Sequence, residues 1–208
     1  VAKHTWMDSY PYAAISVYAL HPIYINLPEI GKLDSDINQQ IIEAQGKYLN
    51  SLHRIDYEAV MALKSRFFKL IYDQQKNKFL QDPEFLSFFN ENKHWLRPYA
   101  AFSYLRDLFN TPDFSRWGEY SKPTDELLEH LTHDGSAHYD DIAVHYFIQY
   151  HAHRQLYNAA TYARSKGVVL KGDIPIGIYR NSADAWLTPH LYHMDCQAGA
   201  PPDDFSVK

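Results

Sequence analysis

Apolar residues recur at helical spacing through most of the chain, and punctuation between them divides it into six helices. Asp34 or Ser35 can cap a first helix reaching about Leu49, with Ile37, Ile41, Ile42 and Ala44 on its inner side. Asp56 starts a stronger one to about Phe79, where Val60, Leu63, Phe67, Leu70 and Ile71 recur while Lys64, Lys69 and Lys76 take other faces. Asp82-Pro83-Glu84 combines a cap, a proline at the first helical position and an acid in the first turn. That helix carries Phe85, Leu86, Phe88 and Phe89, and Pro98 opens the next, from Tyr99 to Asn110, ended by Thr111-Pro112. A short helix is expected from about Thr124 to Thr132 after a loop bearing Trp117 and Tyr120. The longest runs from about Tyr139 to Lys166, buries Ile142, Tyr146, Ile148-Gln149, Leu156 and Ala160–Ala163, and ends on Gly167.

The two ends read differently. Pro11, Pro22 and Pro28 break any helix near the N-terminus, where residues 23–27 fit a short strand within an ordered, aromatic-packed loop. Val168-Val169-Leu170, just after the glycine stop, has the pattern of a buried parallel strand ending at Gly172-Asp173. Carboxylates at strand ends are where parallel α/β folds place their sites, so Asp173 is the first candidate. One strand cannot form a parallel sheet, and the expectation is therefore an excerpt of a longer polypeptide. The predicted fold is mainly α with few strands: a helical subdomain, residues 34–135, inserted between two parts of a site-bearing scaffold, an aromatic- and proline-rich segment at 1–33 and a long helix, strand and loop at 136–208. Stripped of neighbours, the strand is expected to be exposed, disordered or paired with a second copy of the chain.

Composition narrows the function more than the fold. A net charge of −5, with no block of Lys and Arg, argues against a nucleic-acid surface. The single cysteine, Cys196, excludes an intrachain disulfide framework and fits a reducing compartment. No apolar run approaches the ~20 residues of a membrane span, and the expectation is a soluble, cytoplasmic protein. The surplus is aromatic, with 17 Tyr, 11 Phe and 4 Trp. Most belong in a core, and a minority suit the flat faces of sugar rings.

Several chemistries lack their residues. His130, His133, His138, His145, His151 and His153 do not share one helical face, and no Cys-x-x-Cys or His-Glu-x-x-His accompanies them, so neither metal nor cofactor is expected. There is no Gly-x-Ser-x-Gly elbow and no Gly-rich phosphate loop. Carboxylates remain: Asp173, Asp184 and the Asp203-Asp204 pair. Retaining glycoside chemistry needs two of them roughly 5–5.5 Å apart, which spacing along a chain cannot establish. Taken alone, Asp184 reads as a helix or turn cap and Asp204 as a solvated loop residue.

Specific motifs go further. Lys-Gly-Asp-Ile-Pro-Ile-Gly, Asn-Ser-Ala-Asp-Ala-Trp and Gly-Ala-Pro-Pro-Asp closely resemble segments of the amylomaltases, the 4-alpha-glucanotransferases of glycoside hydrolase family 77. Ser-Tyr-Pro-Tyr, Ser-Val-Tyr-Ala and Asn-Leu-Pro are similar to the family's N-terminal segments, and Trp-Leu-Arg-Pro-Tyr-Ala-Ala-Phe and His-Tyr-Phe-Ile-Gln-Tyr-His to its helical ones. Leu-His-Pro-Ile-Tyr resembles the plant cytosolic-type disproportionating enzyme branch, and the likeness covers essentially the whole chain.

The resemblance implies a (β/α) barrel enzyme that moves α-1,4-glucan segments between maltooligosaccharides by a retaining mechanism, through a glycosyl-enzyme resolved by a sugar hydroxyl. It implies that this chain holds the helical subdomain plus an incomplete flank of the (β/α) barrel: 1–33 a barrel segment, 34–135 a helical insertion and 136–208 the long helix, barrel strand and substrate loop. By motif match, Tyr12 is a sugar-contacting tyrosine and Asp173 a substrate carboxylate at the third barrel strand. Asp203 and Phe205 fall on the acceptor-side loop, where the family often has an aromatic at the position of Asp204. Trp186 is read as packing beneath the strand end. The family's catalytic motif, Arg-x-Asp-His-Phe-Arg, is absent; Arg54-Ile55-Asp56 imitates it, but Asp56 is read as a cap. No catalytic residue is therefore assigned within the chain, which alone is expected to be inactive. The rival reading is a helical carbohydrate-binding or interaction module without catalysis.

Overall fold

A computed structural model describes residues 14–172 and 177–196. Six α-helices appear among them: α1 (Asp36–Asn50), α2 (Tyr57–Phe79), α3 (Pro83–Leu108), α4 (Asp125–Thr132), α5 (Tyr139–Ser165) and α6 (Ala183–Leu187). The described residues contain no strand. Four predicted starts have side-chain caps: Ser35, Asp56, Asp82 and Thr124 accept from backbone N–H groups of their first turns, whereas α5 begins without one. Asp56 thus behaves as a capping residue.

The long antiparallel partners α3 and α5 form the centre, with α2 and α4 packed on α5 and α6 on α3. Their interface is built of aromatic edges and faces. Phe79 lies 4.1 Å from Phe85 and 4.9 Å from Phe147, and Phe89 lies 5.1 Å from Tyr146, between ring centroids. Tyr99 through Leu105 are all buried, so α3 is covered on every side there. Arg97 of α3 fastens α4 by donating to Glu129 at 2.6 Å and to Thr132 Oγ1 at 2.9 Å. On the other flank Lys76 pairs with Asp140, and Tyr72 donates to the same carboxylate.

Pro98 does not open a helix; it stands inside α3, which runs unbroken from Pro83. An interior proline costs about 3 kcal/mol. Burial of Leu96 and of the Tyr99–Leu105 stretch on both sides outweighs that cost. Helix α3 ends on Asn110, whose φ of 51° lets Thr111 N–H reach Arg106 O and Asn110 N–H reach Asp107 O. Helix α5 ends in the same double-bonded motif around Gly167, with φ 74°.

Three readings of burial are corrected. Ile37, 73% exposed, and Ala44 face solvent, because α1 packs chiefly on α2 and buries only Ile42 fully. Leu156 and Tyr162 are also exposed, since the buried part of α5 ends at Ala152. Finally, Val168–Leu170 form no strand and are not buried, Val169 being 90% exposed. An apolar run becomes a buried strand only beside another strand, and no described residue supplies one.

Candidate functional site

All four proposed sugar contacts, Tyr12, Asp173, Asp203 and Phe205, lie outside the described residues. The segments that lead from the first two are described, and they meet. Residues 14–29 cross the bundle as a strap with two short 3₁₀ turns, Pro22–Tyr24 and Leu27–Glu29, in place of the expected strand at 23–27. Each turn has a proline in its first positions, where fixed φ favours a tight turn over an extended ladder.

The strap makes few backbone hydrogen bonds of its own, and helix side chains satisfy it instead. Gln149 on α5 accepts from Leu20 N–H at 2.9 Å and donates to Leu20 O at 2.9 Å. Gln155, six residues on, treats Asn26 identically, accepting at 2.7 Å and donating at 3.0 Å. Each amide thus imitates one rung of a β-ladder. Lys64 of α2 donates to Ile23 O at 2.5 Å and Ile25 O at 2.7 Å. Burial holds the Lys64 ammonium below its ordinary pKa. Ile15 and Ile25 point into the core between these anchors.

At its other end the strap meets the C-terminal motif. Ala183 N–H donates to Ile15 O at 2.7 Å, and the Asp184 carboxylate accepts from Ser16 Oγ at 3.0 Å and Val17 N–H at 2.8 Å. Ser16 Oγ in turn accepts from Tyr18 N–H. Ser182, fully buried, is the cap of α6, so Asp184 is not the cap but a bond between segments. Burial raises its pKa, opposed by the two donors. Trp186 is packed as expected, against Phe102 and Trp117, with its indole N–H on Tyr120 O at 2.9 Å.

Two concavities adjoin the strap. A cleft of about 600 Å³ between α2, α3 and α5 is bordered by Pro22, Tyr72, Tyr99, Tyr104, Asp107 and His145. A groove of about 570 Å³ between the strap and the exposed half of α5 is bordered by Tyr24, Glu29, Gln155, Leu156 and Tyr162. Among the described residues no His, Cys, Asp or Glu side chains gather into a metal-binding group. His145 and His151 act as core members: burial lowers each to about 4, so both are neutral near pH 7. No helix among the described residues is long and apolar enough to cross a membrane.

Sequence reasoning overlooked the anchors. Gln149 was visible as an amide on an apolar helix face, a position that demands partners. Lys64 and Asp184 gave no such sign, because their partners lie 39 to 41 and 167 to 168 residues away.

The sequence model of the glycoside hydrolase 77 family, described as 4-alpha-glucanotransferase, matches residues 1–208. The chain belongs to this family. A member from rice (Oryza sativa subsp. japonica), 4-alpha-glucanotransferase DPE2, is 46% identical over 96% of the chain. Family members named 4-alpha-glucanotransferase from Chlamydia muridarum and Synechocystis are 28% and 26% identical, over 96% and 98% of it. The chain spans 21% of the rice protein and 37% and 41% of the other two. Within the family, then, this sequence corresponds to a part containing the strap, the helical bundle and the α6 junction.

Proposed function

We propose that the chain is part of a cytoplasmic 4-alpha-glucanotransferase that transfers α-1,4-glucan segments between maltooligosaccharides by a retaining mechanism. The family match along residues 1–208 is the observation that carries this reading. In it, the carboxylates that attack the anomeric carbon and protonate the leaving oxygen belong to segments outside this chain. This part contributes substrate surface: Tyr12 stacks on a sugar ring, Asp173 accepts from sugar hydroxyls, and Asp203 and Phe205 flank the acceptor. Residues 1–33 and 136–208 belong to the (β/α) barrel and 34–135 to a helical insertion, with α5 serving as the common wall on which α2, α3 and α4 rest. Holding an acceptor while excluding water favours transfer over hydrolysis, a task suited to a helical cover. Self-association of the isolated chain would run through the exposed Val168–Leu170 stretch.

The test is maltotriose disproportionation by the complete polypeptide carrying this sequence. Tyr12→Ala and Asp173→Asn are expected to lower kcat/KM by at least about tenfold, the loss of one positioned contact. The 208-residue chain alone is expected to yield no longer glucans. Transfer by the chain alone, abolished by a substitution within it, would show that its own residues are catalytic. Maltooligosaccharide binding indifferent to both variants would favour a separate binding module.

A further inference from the structure

We propose that the cleft between α2, α3 and α5 is a binding site for a neutral, polyhydroxylated ring of mono- or disaccharide size. Its volume of about 600 Å³ falls within the range of small-molecule pockets, roughly 300–1,000 Å³. Four polar side chains border it from three helices: Ser65 on α2, Tyr104 on α3, Asn110 at the stop of α3, and His145 on α5. None of the four makes a side-chain hydrogen bond to another described residue. Their positions are nonetheless fixed. The buried Tyr104 ring is stacked on His138 at 5.3 Å between centroids, and His145 meets the Tyr99 ring edge-on at 6.4 Å. Asn110 is held by the backbone bonds that end α3. Polar groups fixed in partly buried positions call for partners, and these four border one space.

The kind of ligand follows from which groups are already paired. Most charged side chains bordering the cleft are matched: Lys69 faces Asp141 at 3.7 Å, Asp140 pairs with Lys76, and Arg106 pairs with Asp107 at 2.8 Å. The four groups with bonding capacity left are neutral. Burial lowers His145 to about 4, so near pH 7 its imidazole offers one donor and one acceptor. The serine and tyrosine hydroxyls and the asparagine amide likewise both donate and accept. A sugar hydroxyl has the same dual character, whereas phosphate oxygens chiefly accept and an ammonium only donates. Asp73, with no ion pair among the described residues, adds an acceptor that suits hydroxyls and repels an anion. Phe68, Tyr72 and Tyr99 supply flat apolar faces, against which the C–H side of a pyranose packs.

The experiment titrates maltose into the complete polypeptide carrying this sequence, with its histidine rings labelled for NMR. The His145 resonance, assigned through His145→Gln, reports the cleft. A saturable shift of that resonance is expected. Tyr104→Phe and Ser65→Ala, which remove one hydroxyl each, should each weaken the Kd read from it about two- to tenfold, the loss of one hydrogen bond. Asn110→Gly removes the amide while tolerating the φ of 51°, and should weaken it by a similar factor. Should one variant fail to fold, the other two carry the comparison. A shift that is absent or does not saturate, or a Kd unchanged in every folded variant, overturns the site. A saturable shift with inorganic phosphate or spermidine, and none with maltose, overturns the ligand class. Maltotriose disproportionation is measured separately. Loss of the functional reading there, with the His145 shift and its variant effects retained, leaves this inference standing.

Discussion

Two irregular segments flank the helical bundle, and they obey opposite rules. The strap at 14–29 is rich in prolines and contains no regular ladder, yet its backbone is pinned at five residues by Asp184, Gln149, Lys64 and Gln155. Val168–Leu170 is the most strand-like run in the sequence, yet it lies exposed beside the cap of α5. Side-chain character therefore did not decide which segment was ordered against the core. The deciding factor was whether partners existed for the peptide groups, since a buried N–H or C=O without one costs about 1–3 kcal/mol. Helix side chains present such partners along the strap, whereas among the described residues Val168–Leu170 receive from α5 the cap bond of Val168 N–H to Ala163 O and no side-chain clamp.

Substitutions at the anchors test this contrast, beginning with the most buried. Gln149→Leu removes both bonds to Leu20 and the one to Tyr99 OH while keeping the volume. It should cost about 2–4 kcal/mol in denaturant unfolding, because the orphaned groups stay buried. Lys64→Met should cost about 1–2 kcal/mol by leaving Ile23 O and Ile25 O unmet. The lysine also supplies a pH signature. Its pKa is lowered on folding, so the unfolded chain binds more protons in the interval between the folded and ordinary values. Its contribution to stability must then rise with pH through that interval below 10.5, as the neutral amine still donates to both carbonyls. Lys64→Arg, which cannot titrate there, should lose that rise in stability as pH climbs toward 10.5.

Gln155→Ala probes the same device near solvent, and a cost of about 0.5–1.5 kcal/mol is expected because water can replace its two bonds. Val169→Ser should change the stability of this chain by no more than about 0.5 kcal/mol, as for other exposed positions. A loss of several times that would mean that Val168–Leu170 is as firmly placed as the strap, and the contrast would collapse.

The helices could be read from the sequence because their information is local. Caps at Asp56, Asp82 and Thr124, and the Gly167 stop, act within a few residues and stand where they were expected. Pro98 misled because the force that keeps it helical is burial against a helix whose residues lie far along the chain. Ile37 and Leu156 misled for the converse reason: periodicity marks which face is apolar, but not whether anything arrives to cover it. The junction at Asp184 was recognisable as part of a motif, yet its role was hidden, because an aspartate near a helix start is read first as a cap. Motif resemblance identified the family along the whole chain. What it assigned at Tyr12, Asp173, Asp203 and Phe205 remains proposed, since those residues lie beyond the described ones.

The reach of the Asp184 bonds bears on the order in which the molecule assembles. Ser16 and Asp184 are 168 residues apart, and both glutamine clamps span 129. Closing such loops before the intervening helices collapse carries a large entropic cost, whereas the caps and the α3–α5 pairing draw on nearer neighbours. During synthesis at ~5–20 residues per second, the strap leaves the ribosome well before Gln149 and long before Asp184. It must wait, unpaired and proline-stiffened, while its fastenings are made. The earliest of these residues to be synthesised are thus among the last to be secured.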